Sequence, residues 1–327
     1  MKKEYLSGIC YALLFAVPAY ALGRYFPIVG GPVFGILLGM LFARVRRAKS
    51  LESGIQFTGK KILQYAIILL GFEMNLFHVM EVGAQSLYVM IFTLLAAFGA
   101  ALLMGKVLGL GRDMTALVGA GTAICGGSAI AAVAPVIGAK DRDVVISIAT
   151  IFLFNVLAVF IFPFLGHTYG MTDMGFGMWA GTAINDTSSV VAAGYAYSAE
   201  AGAYATIVKL TRTLMIVPVC LFFALMMMRG ARGSAAGFSL KRIFPMFVLY
   251  FIVACLINTS GILPAAAAHT LGTLGKFAIV LAMSALGLNT DLAALLRNGL
   301  RPLALGMVCW IAVAGTSLLV QHALGLL

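Results

Sequence analysis

The sequence predicts an all-α polytopic membrane protein, one membrane transporter domain over residues 1–327. It is expected to hold about nine full spans plus two broken or re-entrant helical segments, or about eleven crossings if both segments cross. Three observations predict this class. First, 62% of the residues are hydrophobic, 10% are charged and mean hydropathy is +1.05, more apolar surface than a soluble fold buries. Second, the apolar residues come in blocks of roughly 18 to 25, each long enough to cross about 30 Å as a helix. Third, strand alternation is absent, which argues against a barrel.

Continuous spans are expected near 5–22, 27–43, 61–77, 86–105, 144–165, 204–228, 243–259, 272–290 and 302–324. The first 22 residues imitate a signal peptide, with Lys2 and Lys3, an apolar run and then "AYALG". Cleavage would leave the following short loop and span without their partner, so the stretch reads as an uncleaved first helix. Basic residues gather in two stretches. One runs from Arg44 to Lys61 ("RVRRAK", then "GKK"), and the other holds Arg229, Arg232, Lys241 and Arg242. Short basic loops stay in the cytoplasm. That rule puts the N-terminus (Lys2, Lys3) inside. It puts the 73–85 loop (Glu73, His78, Glu81), Glu200 and the C-terminus outside. The net charge of +11 therefore reports topology and does not suggest nucleic acid. The cysteines Cys10, Cys125, Cys220, Cys255 and Cys309 are scattered through apolar segments without a CxxC, so no disulfide framework, zinc site or other metal site is indicated.

Two further apolar segments, 114–138 and 175–198, hold a paired motif. "GTAICGGSAIAA" (121–132) returns as "GTAINDTSSVVAAG" (181–194), with Ser128 matched by Ser188 and Ala132 by Ala192. A second pair joins "GKKILQYAIILLGFEMNL" (59–76) to "GKFAIVLAMSALGLNTDL" (275–292). Together they suggest repeat-like halves, 59–143 and 175–301, and internal repeats with paired helix breaks are the signature of secondary transporters. By loop charge, 61–77 runs outward and 272–290 inward, an inverted pair. If 114–138 and 175–198 both cross, they run parallel and Lys140 and Arg142 fall outside. If each dips in and returns, Lys140 and Arg142 are inside, His167 and Asp173 are outside, and the dips enter from opposite faces. Roughly 22 residues make one crossing of about 33 Å or two half-helices of about 16 Å, so length permits both. The positive-inside rule favours the re-entrant form.

Glycines at 121, 126 and 127 weaken a helix and permit close approach of a backbone or ligand. A break frees N–H groups at the start of the next half-helix, where partial positive charge binds anions. Thr122, Cys125, Gly126, Gly127, Ser128, Thr182, Asn185, Thr187, Ser188 and Ser189 are the candidate substrate-binding residues of the two motifs. The competing reading is that these small residues only let helices pack closely. Asp186 lies deep in the second motif, and Lys209 and Arg212 lie one turn apart on the next span. A centred charge costs about 2.5–3.5 kcal/mol on insertion scales, so it needs a partner or a task. Asp186 is expected to pair with Lys209 or Arg212, which also join the binding set. The alternative is that both bases snorkel to the outer interface, the reading preferred for Lys276. Two bases against one acid make a net positive site suited to a small anion. Asp186 is the candidate coupling residue, a proton carrier on which burial and a basic neighbour act in opposite senses. Asn75, Asn289 and Asp291 end the other repeat pair, as helix caps or as cavity lining.

These residues resemble a family. "GTAICGGSAIAA", "KDRDVVISIATIFLFNVLA", "GTAINDTSSVVAAG" and "AYATIVKLTR" are similar to the YeiH-type bacterial inner-membrane proteins, also known as a sulfate exporter family, over nearly the whole chain. The resemblance implies distant kinship with bile acid, auxin and citrate carriers and a core formed by 121–132 and 181–194. Asn185-Asp186 is also similar to the Asn–Asp pair of some sodium/proton antiporters, where the acid carries the ion. Only one span separates the two motifs here, a departure from the bile acid carriers, so their substrate site is not transferred.

The leading expectation is a secondary active transporter, an exporter of a small inorganic or organic anion such as sulfate or a related sulfur oxyanion, coupled to protons. Its expected partners are the lipid bilayer, the anion, and protons or sodium; a homodimer is compatible with it, and no nucleic acid or cofactor is. No Walker A motif is present, so ATP drive would need a partner protein. The alternatives are a cation/proton antiporter centred on Asp186 and, remotely, an intramembrane enzyme built on Ser128 ("GGSA") with His167, His269 or His322. The expectation is no enzyme.

Overall fold

The structure, a computed structural model, describes residues 3–26, 29–45, 47–229, 246–290 and 299–326. Lys2, Arg232, Lys241, Arg242, Asp291 and Leu292 lie outside the described residues. Every described element is a helix. In chain order they are α1 (Lys3–Tyr25), α2 (Gly31–Leu41), α3 (Lys49–Phe57), a π-helical turn (Thr58–Ile62), α4 (Leu63–Gly71), α5 (Leu76–Val107), α6 (Arg112–Ala123), α7 (Gly127–Ile137) and α8 (Asp141–Thr168). Then come α9 (Asp173–Ala183), α10 (Thr187–Tyr197), α11 (Ala199–Leu214), α12 (Ile216–Arg229), α13 (Met246–Thr259), α14 (Ala265–Leu288) and α15 (Leu300–Ala323).

Six of the described helices are long and apolar enough to cross a membrane: α1, α5, α8, α11 continued into α12, α14 and α15. The expected nine full spans are therefore not met by length. Residues 27–43 hold the 11-residue α2, about 16 Å long at 1.5 Å per residue, because Gly30 takes a left-handed φ of 76° and Pro32 stands at the helix start. Residues 243–259 hold the 14-residue α13. The 61–77 span is the second half of a longer helical run, α3 through α4, so much of the basic Arg44–Lys61 stretch is helix instead of loop. The run stops at Gly71, and Asn75 caps α5 by accepting from the amides of Phe77 (2.9 Å) and His78 (3.5 Å). Asn289 is likewise a cap. It ends α14, and Arg47 donates to its Oδ1 and to the Leu288 carbonyl, both at 2.9 Å.

α1 is part of the bundle. Gly8 lies against Gly54 of α3, and Ala12, Ala16 and Ala19 are buried. α4 and α14 pack antiparallel: the Ala66 carbonyl faces Gly275, while Gly59 faces Ala282 and Leu286. Glu73, at the end of this pair, bonds Lys276 at 3.1 Å and His269 at 3.3 Å. Lys276 therefore has an acidic partner and does not simply snorkel.

α8 orders the rest. At its first end, Ser147 donates to the sulfur of Met114 on α6 at 3.4 Å, and α7 leads directly back into it. At its far end, Gly166 lies under the rings of Phe176 (α9) and Tyr197 (α10), which stack with centroids 4.0 Å apart. α6–α7 is thus a hairpin that starts and ends beside the first end of α8, with Gly121 packed against Ile130 across it. α9–α10 is a hairpin that starts and ends beside the other end, tied there by Tyr197 Oη to the Met171 carbonyl and Ser198 Oγ to Asp173. Each segment folds back on itself, and the two tips meet near the middle of α8. The largest apolar cluster, drawn mainly from α5–α10, α12 and α15, surrounds that meeting point.

Candidate functional site

The two tips are breaks with different local causes. In the first, Ile124 leaves helical geometry (φ −121°, ψ −92°) and Gly126 takes φ 67°, ψ −127°, a region that L side chains rarely enter. In the second, Ile184 is extended (φ −86°, ψ 134°), and Asp186 caps α10, accepting from the Ser188 amide at 3.0 Å and from the Ser188 hydroxyl. The amides of Thr187 and Ser189 also turn toward that carboxylate. Gly181 serves packing, since a Cβ there would lie 2.6 Å from Val208 of α11. Gly177 and Gly194 admit the same helix to both arms of the second hairpin.

Each break leaves one half-helix C-terminus and one N-terminus, and the structure treats them oppositely. The C-terminal carbonyls face α11. Lys209 Nζ donates to the carbonyls of Ile124 (2.7 Å) and Ile184 (3.2 Å). Arg212 Nε donates to Ala123 (2.8 Å), Nη1 to Ile184 (3.3 Å) and Nη2 to Thr122. Lys209 is 0% and Arg212 1% exposed, so neither snorkels. Their positive charges lie on the negative ends of two half-helices, the placement helix dipoles favour. The expected ion pair is not formed. No salt bridge joins Asp186 to either base among the described residues; Asp186 and Lys209 act on each other only through space. The sequence pattern misassigned the partners because backbone carbonyls released by a helix break do not show in side-chain spacing.

The N-termini face the other way. α7 has no side-chain cap, and the amides of Gly127 and Ser128 have no hydrogen-bond partner among the described residues. Ser128 is exposed, and Gly127, Asp186 and Thr187 are half-buried, whereas the amides at the start of α10 are taken up by Asp186 and Asn155. Asn155 joins the tips from the middle of α8. Its Oδ1 accepts the amides of Asn185 and Asp186, each at 3.0 Å, and its Nδ2 lies 3.6 Å from where a Cβ would stand on Gly126. Asn185 is 1% exposed, and neither its Oδ1 nor its Nδ2 has a partner; the Thr122 hydroxyl is unpartnered too.

Of the residues chosen from sequence, Gly126, Gly127, Ser128, Asn185, Asp186, Thr187 and Ser188 gather at this junction, with Lys209 and Arg212 behind it. Cys125 is buried in the first tip, with the Ala129 amide beside its sulfur, and Ser189 is buried in α10. Thr182 departs from the site: its hydroxyl donates to Met178 O at 2.6 Å and pairs with Ser317 of α15, also at 2.6 Å. Gln321 extends that line by donating to Ser317 at 3.0 Å. Asn155 was missed. Its signal was available, since a lone amide in the middle of a 28-residue apolar helix is expensive unless it has partners.

A family model described as "Conserved hypothetical protein 698" matches residues 7–306. A UPF0324 membrane protein of Streptococcus pyogenes is 48% identical, covering 98% of both chains. The chain belongs to the UPF0324 membrane protein family. Another member, from Fusobacterium nucleatum, is 44% identical over 98% of this chain and 99% of its own. A third, from Clostridium tetani, is 43% identical over 99% and 98%. The chain is accordingly a multi-pass membrane protein, and its length matches that of these UPF0324 relatives.

Proposed function

We propose that this UPF0324 protein is a secondary active transporter of a small anion, with the hairpin junction as its site, and that it acts as a proton-coupled exporter. One observation carries the reading. Two hairpins enter from opposite ends of α8 and meet at their tips, where the α7 N-terminus keeps free amides, Asp186 caps α10, and buried cations neutralise both C-termini. Irregular backbone at membrane depth is tolerated where it is packed in protein or lines a wet cavity, and N-terminal amides suit an anion. The opposed entry of the hairpins and the antiparallel α4–α14 pair support the inverted-repeat reading. The distribution of charge supports a cytoplasmic N-terminus, and the family resemblance suggests a bacterial inner (cell) membrane. Arg47, Lys106, Arg112, Lys140 and Arg142 lie toward the end where α8 begins, and Glu73, Asp173 and Glu200 toward the other. Sulfate or a related sulfur oxyanion is the solute that the family resemblance suggests.

The half-buried carboxylate of Asp186 supports the second reading, a cation/proton antiporter. Transport is proposed over catalysis because the histidines placed by the structure stand away from Ser128. His167 lies about 18 Å along α8 from Asn155, and His269 is engaged with Glu73. The test is flux in proteoliposomes with labelled sulfate and sulfite, sodium and a pH dye. Anion flux lost in Lys209→Ala and Arg212→Ala supports the proposal. Sodium/proton exchange that needs no anion and disappears in Asp186→Asn overturns it in favour of the antiporter.

A further inference from the structure

The junction offers a specific set of donors and acceptors. For the anionic oxygens of a ligand there are the Gly127 and Ser128 amides and Nδ2 of Asn155, which faces Gly126. Beside them stands Asn185, whose carbonyl carbon is 3.8 Å from the Cβ position of Gly126 and whose side chain is buried without any partner. A primary amide always presents one acceptor oxygen and one donor nitrogen, whichever way it is turned. Asp186, half-buried at the second tip, presents only acceptors when ionised. A ligand with acceptors alone therefore leaves the Asn185 oxygen unsatisfied and turns its own lone pairs toward it and toward Asp186. A ligand that also carries an O–H satisfies both.

Charge narrows the class further. The two half-helix N-termini and two C-termini offset one another, so the formal charges decide. Taken at their formal charges, Lys209 and Arg212 against Asp186 leave one net positive charge, which one negative charge balances. A second negative charge would be buried without a counterpart, at high cost in a site this enclosed.

We infer that the junction takes a monoanion bearing a hydrogen-bond donor, the chemistry of a hydrogen-oxyanion, and discriminates against dianions such as sulfate itself. This rests on the anion reading above and narrows its substrate class, away from the sulfate that the family resemblance suggests. Bicarbonate and nitrate make the decisive pair: both are planar monoanions of nearly equal size, and only bicarbonate carries an O–H. The experiment is binding calorimetry of the purified full chain in detergent, in a closed cell at one mildly alkaline pH, with bicarbonate, nitrate and sulfate as separate probes. Leaving a buried polar group unpaired is costly enough that bicarbonate should bind at least about tenfold more tightly than nitrate, with sulfate weakest. Asn185→Leu should bring the bicarbonate-to-nitrate ratio close to one. Because neither polar atom of Asn185 has a partner, that substitution removes no side-chain hydrogen bond; if the variant nevertheless fails to fold, the wild-type ratio decides alone. Nitrate binding as tightly as bicarbonate, sulfate binding tightest, or a ratio unchanged in Asn185→Leu would overturn the inference and leave the anion reading standing. Binding of none of the three, together with anion-independent sodium/proton exchange, would overturn both.

Discussion

Replacing Asn155 by Leu isolates what holds the two hairpin tips in register. The Asn155 Oδ1 is the acceptor for two backbone amides of the second tip, Asn185 and Asp186, each at 3.0 Å, and the side chain is 2% exposed. Leucine keeps the bulk and removes the acceptor. A buried group left unpaired costs about 1–3 kcal/mol, so two orphaned amides set an upper bound of about 6 kcal/mol. Side-chain hydrogen bonds within membrane proteins average about 0.6 kcal/mol because the unfolded chain in lipid also finds partners, so the lower bound for two is about 1 kcal/mol. The second tip lacks room to rearrange, since Val208 of α11 closes on Gly181 just before it, and the loss should fall in the upper half of that range. Detergent-purified protein followed by fluorescence-detected size exclusion after heating measures the change. Asn155→Leu should melt well below wild type and lose flux. Asn155→Asp, which keeps an acceptor at the same place, should retain more of its stability. An Asn155→Leu protein that melts with wild type and transports normally would refute the claim that this side chain carries the junction.

Further expectations follow from the same contacts. Arg212 forks across carbonyls of both hairpins, a geometry that lysine does not reproduce, so Arg212→Lys should lose most anion flux despite keeping the charge; normal flux in that variant would mean that charge alone suffices. Asp186 both caps α10 and carries charge. Asn is an equally good cap, so Asp186→Asn should melt within about 0.5 kcal/mol of wild type while losing coupled proton movement, whereas Asp186→Ala should cost about 0.5–2 kcal/mol. Gly126→Ala meets no closer neighbour than Ile151 at 3.4 Å, so its penalty comes from backbone conformation, about 1–3 kcal/mol, and should appear as a lower melting temperature.

Much of this was legible in the sequence because bilayer physics is local in sequence. The helical class follows from apolar blocks, and the two breaks from glycines and polar residues inside them. The cost of centring Lys209 and Arg212 means that they need a partner or a task unless they snorkel, and their burial removes the second choice. The number of full spans was not legible. An apolar run such as 27–43 reads as a span, yet Gly30 and Pro32 start its helix late and leave about half a crossing. Also hidden were the identity of each partner and the role of Asn155. Composition said that two bases needed negative partners and offered Asp186. The fold supplied four carbonyls at the ends of α6 and α9, because both segments double back and present their broken ends to α11. Where a helix breaks is written in its own residues. Which neighbour satisfies the freed backbone depends on residues 25 to 90 positions away, and only the tertiary packing brings those together.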